Sequence, residues 1–367
     1  MASDEIDGRY DIYSLGTDED SSGLMRYRSY ASRKLLFLLL AFFVLFIAVI
    51  VALNIGPIHV GFVDVFRYLF SFDSDGNGHI VWNIRLVRIV ACVLVGAGLA
   101  VAGVVMQSIL RNPLASPYTL GLSSAAAFGA AFSIVFLQTG SMITSGIYVN
   151  NPYVTILSAF FFSLLATGLI LLLVKVTRVS SETMVLAGIA VSAIFTAALS
   201  LTQLYASEAQ LANIVYWTFG NMGRSTWRWD TLVFIVLLPI SVYFFTKRWT
   251  YNAMDVGEDT AKGLGVNTNR ERMIGMVLAS LLSAVIVSFF GTIAFIGLLG
   301  PHIARMLIGS DHRYLIPASM VTGAMILLAS DLIGLNAMLP LVIPVGIITS
   351  MLGGPLFIYL LIRRYRQ

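Results

Sequence analysis

Two groups of ionisable residues could do chemistry in this sequence. The first is Arg85 with Arg88, three residues apart and so on one face of a helix. Such a pair can snorkel to lipid headgroups or receive the carboxylates of an acidic extracellular protein. The second is the run from Asp255 to Asn267, which holds Asp255, Glu258, Asp259, Ala261, Lys262, Leu264, Gly265 and Val266. Its acids come first, then Ala261-Lys262, then two glycines, which is the pattern of a short helix with a sharp end. A short helix on a membrane surface can take a push from a soluble motor. An ordinary cytoplasmic loop is the other reading.

Catalytic constellations are missing. The sequence holds no GxxxxGK[ST] phosphate loop, no HExxH and no Gly-x-Ser-x-Gly. His59, His79, His302 and His312 are scattered, and Cys92 is the only cysteine, so neither a metal site nor a disulfide framework is expected. Neither a catalytic residue nor a cofactor is expected.

The elements that carry these groups follow from composition. The chain has 367 residues, 58% hydrophobic and only 11% charged, against roughly a quarter charged in a soluble protein. Soluble, disordered and collagen-like classes are excluded. At about 20 residues per span, this composition predicts roughly ten helices and an all-α polytopic membrane protein. Backbone in lipid must pair internally, and no barrel-type alternation is present. Of 42 charged residues, 23 fall in residues 1–34, 248–272 and 363–367. The expected spans are 35–54, 85–110, 118–137, 153–176, 183–205, 230–245, 273–291, 292–309 (short and interrupted), 314–335 and 342–362. Residues 1–32 read as a mobile acidic cytoplasmic tail, 33–367 as the transmembrane domain, and 249–272 as its longest cytoplasmic segment.

Ten spans with both termini inside place 18 of the 23 Lys and Arg on the inner side, as the positive-inside rule requires. The expected location is the plasma membrane. The net charge of +4 is explained by those loops and not by nucleic acid. The spans are nearly free of acids, so a proton- or ion-coupled carrier lacks its usual midplane groups. Energy should then come from a partner.

Several segments resemble the FecCD-type permease family, the membrane subunits of ATP-binding-cassette (ABC) importers for iron-siderophores, haem and vitamin B12. They are Arg85-Leu86-Val87-Arg88, Gly103-Val104-Val105-Met106-Gln107, Arg111-Asn112-Pro113-Leu114-Ala115-Ser116-Pro117, Leu264-Gly265-Val266-Asn267, the stretch from Gly291 to Arg305, and Gly353-Gly354-Pro355-Leu356-Phe357. They occur in the family's order and spacing. The resemblance implies a type II ABC importer permease fold of ten helices. It implies a homodimer or pseudo-dimer, two cytoplasmic ATPase subunits and an extracytoplasmic substrate-binding protein, all held at membrane lipid. By the same resemblance, Asp255 to Val266 would couple to the ATPase and Arg85 and Arg88 would dock the binding protein. Asn112, Leu114, Ser181 and Glu182 would form an inner gate. The sequence departs from the family pattern at Val87, Ser116, Ala125, Leu335 and Val342. A partner-independent carrier or channel is the alternative function.

Overall fold

The computed structural model describes residues 17–56, 60–71, 76–142, 148–177 and 181–365. The long helices are α1 (Thr17–Asn54), α4 (Val87–Ile109), α6 (Pro152–Thr177), α7 (Ser181–Leu204), α9 (Trp227–Thr246), α12 (Thr268–Phe290) and α14 (His312–Asn336). Shorter ones are α2 (Phe62–Ser71), α3 (Gly76–His79), α5 (Leu122–Val135), α8 (Glu208–Thr218), α10 (Arg248–Val256), α11 (Glu258–Gly263), α13 (Ile296–Ile308) and α15 (Val345–Tyr365). The described strands are β1 (Gly140–Met142) and β2 (Tyr148–Asn150), an antiparallel ribbon. Among the described residues, seven helices are long and apolar enough to cross a membrane, and three shorter apolar ones bring the number to the ten expected.

Helix α4 is the centre. It carries Gly96, Gly98, Ala100, Ala102 and Gly103, and its span is the most buried of the seven. Small residues let backbones approach closely where no water drives helices together. A Cβ at Gly103 would overlap the Gly297 carbonyl of α13. Helices α9, α12, α13 and α14 pack around α4, while α5 gathers α6, α7 and α8, and α12 touches both groups. The α5 group is held by edge-on rings, such as Phe128 against Phe162 at 4.8 Å. The least buried long span is that of α1, where Leu36, Leu39, Phe43 and Phe46 are exposed.

Several boundaries differ from the sequence expectation. Helix α1 begins at Thr17, inside the segment read as a tail. Residues 1–16 of that tail lie outside the described residues. The second span begins at Asn77 and not Arg85. Its start runs through a π-helical stretch, Ile80–Leu86, tied back when Trp82 Nε1 donates to the Tyr68 carbonyl at 3.0 Å. The interrupted eighth span is helical only from Ile296. Ahead of it, Gly291 has φ 80° and would strike the Trp217 carbonyl with any Cβ. This irregular backbone is paired: Asn221 N–H donates to the Phe290 carbonyl at 2.8 Å and the Thr292 hydroxyl to the Thr218 carbonyl. Non-helical backbone at membrane depth is tolerated only with such partners.

Candidate functional site

The sequence places its longest polar segment between α9 and α12, and the structure folds it into two short helices. Gly257, at φ 163°, separates α10 from α11. Glu258 and Asp259 open α11, Ala261 is its buried anchor, and Lys262 sits in its last turn. Leu264 is 70% exposed, and Gly265 turns the chain at φ 81°. Val266 N–H returns to the Ala261 carbonyl at 3.0 Å. The result is a compact knob with an apolar tip.

Glu258 is the knob's electrostatic hinge. Its carboxylate meets Lys262 Nζ at 3.0 Å and Arg272 Nη2 at 3.3 Å. Those bonds, Lys262 first, hold its carboxyl below the usual glutamate value despite the opposing effect of burial. Arg272 is 1% exposed. Its Nε also donates to the Ile109 carbonyl at 2.9 Å, in the last turn of α4. One guanidinium therefore spans α11 and α4.

A second connection runs from α10. His312, fully buried, has Nε2 at 2.7 Å from Ser108 Oγ and Nδ1 at 2.9 Å from Asn252 Oδ1. Its backbone N–H also donates to Asn252 Oδ1, at 2.8 Å. The Asn252 amide is oriented by its Nδ2 donating to Asp311 Oδ1 at 3.1 Å. Burial pushes the Asp311 carboxyl up, but hydrogen bonds from Arg313 and Asn252 bring it down to about 2, so it can only accept. Asn252 Oδ1 must then accept from His312 Nδ1–H, which leaves Nε2 to accept from the Ser108 hydroxyl. Beside them, Arg305 Nη1 of α13 donates to Gln107 Oε1 at 3.1 Å. Gln107, Ser108 and Ile109 are thus each held by a different helix.

The next residues are the expected gate loop. Arg111 takes φ 46°. Asn112 N–H donates back to the Gln107 carbonyl at 3.0 Å, and Asn112 Oδ1 accepts from Leu114 N–H at 2.9 Å. Leu114 is 37% exposed. A cleft of about 620 Å³ opens between this loop and α10, lined by Arg111, Asn112, Pro113, Asp255 and Arg305 among others. Ser181 and Glu182 open α7; their side chains lie outside the described residues.

At the far end of α4 the two arginines have inward partners. Arg85 is 7% exposed and its Nη1 donates to the Leu53 carbonyl of α1 at 2.7 Å. Arg88 forms a two-pronged pair with Asp331 of α14, Nε and Nη2 lying 2.7 and 2.8 Å from the two carboxylate oxygens. Both guanidiniums thus bind groups of the protein itself. Sequence reasoning missed Arg272, Asn252 and His312 as site residues. The available signal for Arg272 was a cation directly before a span with no acid beside it except Glu271. Among the described residues, no group of three His, Cys, Asp or Glu could hold a metal.

The profile of the FecCD transport family matches residues 44–363. A protein of Methanocaldococcus jannaschii that carries an ABC transporter permease name is 46% identical over 343 residues, covering 93% of this chain and 98% of that one. The hemin transport system permease protein of Yersinia pestis is 34% identical over 89% of this chain and 96% of its own length. The vitamin B12 import system permease protein of Vibrio cholerae is 30% identical, over 81% and 86%. A solved chain presented as an inward-facing metal-chelate type ABC transporter superposes with a TM-score of 0.76 at 30% identity, over 89% of this chain and 99% of that one.

Proposed function

The chain belongs to the FecCD transport family, and from that premise we propose that it translocates a metal chelate (iron-siderophore, haem or cobalamin) as the permease of an ABC importer. It is an integral membrane protein. In this reading two copies pair around the path, two ATPase subunits dock on the α10–α11 knob from the cytoplasm, and a binding protein docks at the Arg85–Arg88 rim. Both termini are cytoplasmic, and ATP is hydrolysed in the separate subunits. The observation that carries the reading is the knob itself. It presents an exposed Leu264 and Asp259 outward, and through Glu258 and Arg272 it is bonded to the last turn of α4. A large chelate favours a wide, weakly interacting path, so affinity would reside in the external binding protein.

The test reverses the knob's charge. Glu258→Lys with Asp259→Lys should abolish uptake in cells while membrane insertion, read from the level of protein in membranes, stays normal. Normal uptake in that variant, or uptake that persists when the partner ATPase is inactivated, would shift the reading to a partner-independent carrier or channel.

A further inference from the structure

We propose that Arg272 and His312 are positioning residues that carry motion of the α10–α11 knob to the last turn of α4, and so to the gate loop that follows it. This rests on the importer reading above. The geometry is specific. The three consecutive residues Gln107, Ser108 and Ile109 are bonded to Arg305, His312 and Arg272, one from each of α13, α14 and α12. Two of those three side chains reach on to the knob: Arg272 to Glu258 of α11 at 3.3 Å, and His312 to Asn252 of α10 at 2.9 Å. The gate loop is then bonded back on the same turn, Arg111 N–H to the Ser108 carbonyl at 3.1 Å and Asn112 N–H to Gln107 at 3.0 Å. No link in either chain is longer than a hydrogen bond.

The physical argument is that such links transmit displacement because they cannot be stretched cheaply. Arg272 and His312 are fully or almost fully buried. Breaking either bond costs a desolvated guanidinium or imidazole one of its partners. When the knob shifts, it is cheaper for the α4 turn to follow than for either bond to break. The cleft between the loop and α10 gives the loop room to do so. The knob's two helices are joined at Gly257, so each has its own tie to the α4 end. Arginine suits the first tie because its fork makes two bonds in fixed directions; a lysine point charge cannot hold both.

The test uses the full chain reconstituted in liposomes with its partner ATPase, and measures uptake and ATP hydrolysis in the same vesicles. Ser108→Ala and Arg272→Lys, both at side chains buried behind the knob, should still assemble with the ATPase and hydrolyse ATP. Uptake per ATP should fall about tenfold. The double variant should lose more than either single one, since each breaks a different link. Amide hydrogen exchange at Leu110–Ala115, measured without the ATPase, should speed up in both. Ser108→Ala removes a single hydroxyl from α4, so it serves if Arg272 variants do not fold.

An unchanged uptake-to-ATP ratio with unchanged exchange would overturn the proposal. So would loss of ATPase assembly in both variants, which would make the two ties supports of the docking surface instead of carriers of its motion. Wild-type uptake that needs no ATP would sink the importer reading itself, a result separate from either.

Discussion

The Arg88 guanidinium and the Asp331 carboxylate both lose their water on folding, and the forked pairing returns two charge-assisted hydrogen bonds. Such a pair costs most when halved. Arg88→Ala should therefore destabilise the protein by about 3–5 kcal/mol, because it strands a buried carboxylate. Arg88→Met with Asp331→Leu should lose far less. Unfolding in detergent micelles measures both, and equal losses would count against the ion-pair account. Glu258 gives a pH dependence. Its folded value is lowered from 4.5, by Lys262 first and then Arg272, with burial opposing. A lowered carboxyl contributes stability that is complete above the unfolded value and is lost as pH falls through the folded one. Between about pH 5 and about pH 3 the wild-type melting temperature should drop more than that of Glu258→Gln. At residue scale the sequence showed which charges were unusual. It could not show their partners, since Asp331 lies 243 positions from Arg88 and Arg272 lies 163 from Ile109.

Helix α4 is built from small residues so that its backbone can touch others, and this makes its glycines unequal to those elsewhere. Gly103→Ala should push α13 away from α4 and cost about 1–3 kcal/mol, as overpacking does. Gly168→Ala, in the interior of α6 with nothing within 4 Å of the added carbon, should be neutral or stabilise by about 0.5–1 kcal/mol. Melting temperatures of the two variants check the contrast, and a reversed order would refute it. Apolar runs gave the spans their positions to within a few residues. They failed where local backbone geometry ends a helix inside an apolar run. Helix α5 starts at Leu122 and not Tyr118 because Gly121 takes φ 78°. Helix α13 starts at Ile296, after Phe295 at φ 66°. Hydropathy does not record φ.

For the whole molecule, the outer faces differ in how many small residues they carry. Helix α1 exposes large apolar side chains such as Leu39 and Phe43, suited to lipid. Helix α7 exposes large side chains too, such as Leu186, Ile194 and Leu201, but sets among them Ala190, Ala193, Thr196, Ala197 and Ser200, whose small side chains suit close approach of another helix. If two copies pair through α7, Ala193→Cys should give a dimer with a short bis-maleimide in membranes, and Leu39→Cys should not. Cys92 is the only native cysteine and is buried, so the introduced thiol reports alone. Crosslinking from Leu39→Cys but not Ala193→Cys would place the pairing elsewhere. By itself the sequence determined the class, the span count and the polar segment between α9 and α12, because each is a local property: hydrophobic run length, charge position and turn residues. Its motifs also pointed to the family. Only the tertiary structure decided that α11 is bonded through Arg272 to the end of α4, that His312 joins α10 to the same turn, and that Arg88 is closed onto Asp331. Those are pairings between buried groups far apart in the chain. They are fixed by which helices pack together, and packing depends on shape at every contact and not on the pattern of any one segment.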